Sequence, residues 1–221
     1  MISQELHDFC ERWFEKAQGY QRQSIQDCFD KFFTLFIVYN RLYAELTLSW
    51  ARTGRIKLRD RNPSLPDVKA AKEYVHSYLG TNHIWSNIQN DAQCQLAVSA
   101  IRKLLENQVF VIKLDRLRGE PRPEEDKKLL EDLRSENQHR KVGALLDIIY
   151  SVRCNMFHGH KGFDRVQIEI LVPLNILLDK LTILLYERLS NDYELGMLLL
   201  GEPERVTKGG WYVKKSPTKN Q

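Results

Sequence analysis

Apolar positions recur at steps of three and four along most of the chain and never alternate over any length, so the pattern predicts an all-α fold of helices with buried faces. The first helix runs over residues 3–18, with Leu6, Phe9, Cys10, Trp13, Phe14 and Ala17 on one side and Ser3 as its N-cap. Gly19 and Tyr20 break it. Residues 23–52 form a longer helix, with Ile25, Phe29, Phe32, Phe36, Tyr43 and Trp50 on one stripe and Leu35, Val38, Leu42 and Leu46 on another. Such a helix is covered on most of its circumference. Asn40 falls between Phe36 and Tyr43, where a buried amide without a partner costs about 1 to 3 kcal/mol. It therefore needs a polar neighbour, either a structural one on another helix or a functional site.

From residue 52 to 61 the segment carries Arg55, Lys57, Arg59 and Arg61 at alternate positions. Extended, they make one basic edge suited to a phosphate backbone; Gly54, Pro63 and Pro66 equally suit a solvated loop. Pro66-Asp67 opens another helix, with Val68, Ala71, Tyr74, Val75, Tyr78 and Leu79 spaced for burial and Gly80 as its stop. Residues 81–90 read as a polar connector tacked down by Ile84, Trp85 and Ile88, with His83 on the surface. Helical spacing resumes over 91–112 through Leu96, Ala97, Ile101, Leu104 and Leu105. Residues 113–140 form a charged insertion, broken at Gly119, Pro121 and Pro123, with a short exposed helix over 124–135. Residues 141–157 return to a helix with one buried face, on Val142, Leu145, Leu146, Ile149, Val152, Met156 and Phe157. The most apolar helix covers 164–189, where Pro173 must lie in the first turn or kink it. One domain thus spans residues 1–201, followed by a basic, flexible tail over 202–221.

Composition narrows the class. At 221 residues the chain can bury a full core. Its charge of +4 is compatible with a polyanionic partner without requiring one. Cys10, Cys28, Cys94 and Cys154 are scattered, with no Cys-x-x-Cys pair and no histidine at zinc spacing, so they read as reduced core thiols and no metal or other cofactor is expected. No signal-peptide core and no uncharged apolar run of membrane length occurs, which places the protein in the cytoplasm with no membrane partner. Glycine-rich phosphate loops and carboxylate clusters are missing as well.

The chemistry concentrates in Arg153-Cys-Asn-Met-Phe-His158-Gly-His160-Lys161, the one place where reactive side chains interrupt the apolar pattern. Gly159 supplies a helix stop. Arg153 and His158 lie about 140° apart on an ideal helix, so they share a face only if the helix ends between them or a second copy supplies the missing half. Asn155 and His158 are side by side, and Arg153 near a C-terminus is favoured by the dipole. Spacing alone equally describes an ordinary Arg and His beside a turn.

The string RCNMFHGHK resembles the Arg-x(4–6)-His signature of the HEPN superfamily, and more closely the subset reading Arg-x-Asn-apolar-Phe-His-Gly-x-Lys before a long last helix. The resemblance implies an up-and-down helical bundle with a long second helix and a long final helix, dimeric, in which two Arg153/His158 pairs line one cleft. It further implies metal-independent endoribonuclease activity, with RNA as substrate and a toxin or defence role that brings an antitoxin or partner protein. In that mechanism His158 handles the proton of the ribose 2′-hydroxyl, Arg153 holds the phosphorane and Asn155 orients. His160 and Lys161 add an acid or a phosphate contact, or are exposed turn residues. Related sequences carry a Tyr-Asn on the second helix, which points to Tyr39 and Asn40. Catalytic members place a polar residue after the Arg where this chain has Cys154, so the second reading is a non-catalytic HEPN module binding RNA, a nucleotide or a protein. A purely structural helical scaffold is the third.

Overall fold

In the computed structural model the described residues are 2–22, 24–58, 66–115, 118–157 and 165–200, with side chains described to residue 192 except that of Phe157. Among them the secondary structure is helical, with one isolated bridge between Leu114 and Pro121. Ser3 caps α1 (Gln4–Gln18) by accepting from the Leu6 amide at 3.3 Å, and Ser24 caps α2 (Ile25–Arg52) through Asp27 at 3.1 Å. Then come α3 (Asp67–Lys69), a π turn (Ala70–Tyr74), α4 (Val75–Leu79), α5 (Thr81–Gln89) and α6 (Ala92–Glu106). The chain ends in α7 (Pro123–Arg134), α8 (Gln138–Phe157), a 3-10 turn (Arg165–Gln167) and α9 (Ile168–Leu200). The all-α architecture with a long second and a long last helix is therefore present.

The bundle is organised on α9, which packs against α2 and α6, while α1 lies on α2 and α7 on α8. Phe32, Leu35, Tyr39 and Tyr43 of α2 are fully buried with Leu174, Leu178 and Leu181 of α9. Pro173 lies inside α9 beyond its first turn and is buried.

Several expectations change. Residues 81–89 are a helix, not a connector: Ile84 and Ile88, one turn apart, are both fully buried. Packing of that stripe outweighs the poor helix propensity of the Thr, Asn, His and Ser around it. Gly80, at φ +82°, makes the bend between α4 and α5. Leu96 is 71% exposed, because it lies about 140° around α6 from the buried Ile101. Asn40 is exposed rather than buried. It sits about 40° past Phe36, just beyond the edge of an arc whose centre lies toward Leu35 and Leu42. The charged insertion is built into the core, since α7 buries Leu129 and Leu133, and Asp126 is buried beside them. Helix α9 continues past residue 189 to Leu200. The tail, 202–221, lies outside the described residues.

The segment α3–α4 runs antiparallel to α8 through a ladder of polar pairs: Asp67 with Tyr150, Lys72 with Asp147, and His76 stacked on His139. On an α-helix Asp67 and Lys72 would point about 140° apart. The π turn between them pairs i with i+5, which brings residues five apart onto one side. Here the Val75 amide donates to the Ala70 carbonyl rather than to that of Ala71. The Tyr39 hydroxyl, buried under the turn, donates to the Ala71 carbonyl.

Candidate functional site

The last turns of α8 carry the Arg153 side of the predicted motif. Arg153 is half-buried, its guanidinium carbon 5.4 Å from the Phe36 ring centroid and 5.9 Å from that of Tyr150. Contacts of this kind hold a cation by the ring quadrupole and align the planar head. Its Nη1 reaches 3.9 Å from Cys154 Sγ. Asp67 sets the ring beneath: the Tyr150 hydroxyl donates to Asp67 Oδ2 at 2.6 Å, and the Tyr43 hydroxyl donates to Oδ1. Burial first, then the bond to Asp67 and its charge, push both phenols well above the ordinary tyrosine range; the Arg153 charge opposes this.

Asn155, two residues further along α8, is buried. It is 8% exposed, and its Nδ2 donates to the Ile112 carbonyl at 2.7 Å. The same stretch is tied from its other side by Asp126, whose two oxygens accept from the amides of Ile112 (2.9 Å) and Lys113 (2.8 Å). Lys113 is thereby aimed at α8, where its Nζ donates to Asp147 Oδ2 at 2.7 Å and Ser151 Oγ at 2.9 Å. Lys72 donates to the other Asp147 oxygen at 2.8 Å. Burial would raise the Asp147 carboxyl, but hydrogen bonds from Lys113 and Lys72 outweigh it and hold the group below the usual carboxylate range.

The remaining predicted residues separate. Tyr39 is buried beneath the π turn, its phenol raised by desolvation, and Asn40 faces solvent. Arg55 does not begin an extended edge: its amide closes α2 on the Trp50 carbonyl at 2.9 Å, and its guanidinium lies 6.0 Å from the Trp50 ring centroid. Lys57 is exposed. His158, His160, Lys161, Arg59 and Arg61 lie outside the described residues. Among the described residues no group of three or more His, Cys, Asp or Glu side chains is arranged to hold a metal ion. No described helix is long and apolar enough to cross a membrane.

Asp67, Lys72, Lys113, Asp147 and Tyr150 were not among the predicted site residues. A signal existed for one of them: Asp147 is the single acidic residue in the apolar stretch 141–157. The rest depend on pairings across 24 to 83 residues of sequence.

Fold and site together define an all-α protein whose helix α8 carries, in its last turns, an arginine clasped by aromatic rings, beside a carboxylate shared by two lysines. Comparison with models of known families, with curated proteins and with solved structures finds no match.

Proposed function

We propose that this chain is a metal-independent endoribonuclease of the HEPN type, acting in the cytoplasm as a toxin or defence effector. Two copies join about a two-fold axis, each contributing Arg153 and His158 to one cleft. The observation that carries the reading is Arg153 itself. A permanently charged fork, half-exposed at the C-terminal end of α8 and steadied by Phe36 and Tyr150, suits the two non-bridging oxygens of a phosphodiester. In the reaction one imidazole takes the 2′-hydroxyl proton and the oxygen attacks the adjacent phosphorus. The second imidazole protonates the departing 5′-oxygen, leaving a 2′,3′-cyclic phosphate and a free 5′-hydroxyl. Arg153 stabilises the negative charge that builds on the non-bridging oxygens of the phosphorane between those steps.

The alternative, a non-catalytic module that binds RNA, a nucleotide or a protein partner, is favoured by one observation: the Asn155 amide nitrogen is committed to the Ile112 carbonyl. The test is cleavage of structured and single-stranded RNA in excess EDTA by the wild-type protein, Arg153→Ala and His158→Ala, with dimerisation measured by light scattering. Cleavage lost in both folded variants supports the nuclease. Binding without cleavage supports the module, and neither binding nor cleavage removes both readings.

A further inference from the structure

We infer that Lys72 and Lys113 form a second phosphate-binding subsite beside Arg153, so that this face of α8 grips two neighbouring phosphates of one strand; the inference rests on the RNA reading above. Asp147 and Cys154, seven residues apart, lie within about 20° of each other on α8 and about 10 Å apart along its axis. Ser151 lies between them, and all three are half-buried. The Arg153 guanidinium bends over Cys154 onto this face, at 3.9 Å from its sulfur. At the other end stand Lys72 and Lys113, 2.8 and 2.7 Å from a single carboxylate.

Two ammonium groups share the single carboxylate of Asp147 on a partly solvated face, where one would complete an ion pair. Both lysines are also placed by unusual local structure. Lys72 sits in the π turn, a feature that recurs at functional positions and here turns the side chain to α8. Lys113 comes from an irregular segment fixed by three hydrogen bonds, two from its own and its neighbour's amide to Asp126 and one from Asn155. Asn155 thus acts as a positioning residue for Lys113. An ammonium carries three N–H donors, and Lys72 directs one to Asp147, so the phosphate oxygen adds a contact without breaking the pair.

The test is the salt dependence of single-stranded RNA binding in EDTA for the full chain, Lys72→Gln, Lys113→Gln and, as an equal-charge control on the exposed side of α7, Lys127→Gln. Each subsite variant lowers the slope of log affinity against log salt by about 0.7, the value for one phosphate contact on a single strand, and the control leaves it unchanged. Thermal melts identify a variant that fails to fold; Lys72, at 27% side-chain exposure, is the more tolerant position. Slopes of Lys72→Gln and Lys113→Gln equal to that of Lys127→Gln overturn the subsite while leaving RNA binding intact. Inorganic pyrophosphate separates the two claims: wild type bound by pyrophosphate but not RNA, with binding lost in both lysine variants, keeps the subsite and removes the RNA reading. No binding of either ligand removes both.

Discussion

His76 makes the fold sensitive to acid in a defined window. Its ring is 7% exposed, stacked on His139 with centroids 4.3 Å apart, and its Nε2 pairs with the Thr81 hydroxyl at 2.9 Å. Burial first, then the neighbouring His139, lower its pKa to about 4, against about 6.5 in the unfolded chain. Above pH ~6.5 the ring is neutral in both states and contributes no slope. Between about 6.5 and 4 the unfolded chain takes up a proton that the folded one refuses, so stability falls as pH falls. Below about 4 the loss is complete, and at roughly 1.4 kcal/mol per pH unit it amounts to at most about 3 kcal/mol. Urea unfolding followed by circular dichroism at half-unit steps from pH 7.5 to 4 measures this. His76→Gln keeps a polar partner for the Thr81 hydroxyl and removes the titration, so its stability curve is flatter than wild type by that amount. Equal slopes for the two proteins between pH 6.5 and 4.5 would refute the reasoning, whatever the variant's absolute stability.

Other substitutions test the packing and the site. Asn155→Ala leaves the Ile112 carbonyl without its donor and lowers unfolding free energy by about 1 to 3 kcal/mol in urea titrations; an unchanged midpoint means the amide is not structural. Tyr39→Phe strips the donor from the Ala71 carbonyl and costs a similar amount, about 1 to 3 kcal/mol, with faster amide exchange across residues 70–75 as its signature. Leu96→Lys changes stability by less than about 0.5 kcal/mol, whereas Ile101→Ala on the same helix costs about 2 to 5 kcal/mol; similar thermal melts for both contradict the assigned faces of α6.

Much of the architecture was legible because it is local. The 3.6-residue period marks α1, α2, α8 and α9, and Ser3, Asp67 and Gly80 mark their neighbours' ends at or near the observed positions. The pattern failed where geometry finer than the period decides. Asn40 lies only about 40° from Phe36, yet that angle separates core from solvent. In α5, polar residues with poor propensity mask a stripe of two isoleucines. The site was less readable. Arg153 stands out by type, but its clasp joins Phe36, Asp67 and Tyr150 from three helices, and the Lys72 placement depends on a π turn that no residue pattern announces. Asp126 looks like one more charge in a charged run; its burial follows from the two amides it must satisfy.

The same physics explains why polar residues that stand out in the motif and on α2 can serve the site without touching a ligand. A helix that binds a polyanion must present fixed cations on a partly solvated face, and long flexible side chains do not fix themselves. Aromatic rings can hold a guanidinium, and Phe36 and Tyr150 both lie against that of Arg153. An ammonium has no such planar contact and must be aimed by its backbone. For Lys113 that backbone is irregular, so Asn155 and Asp126 replace the hydrogen bonds that a helix would have provided. For Lys72 the backbone is a helix in the wrong register, corrected by the π turn whose Ala71 carbonyl Tyr39 satisfies. Asn155 and Tyr39 are thus buried because the cations beside them are not. If the two-lysine subsite proposed above binds phosphate, replacing either weakens that binding through a shifted lysine, while leaving Arg153 in its clasp.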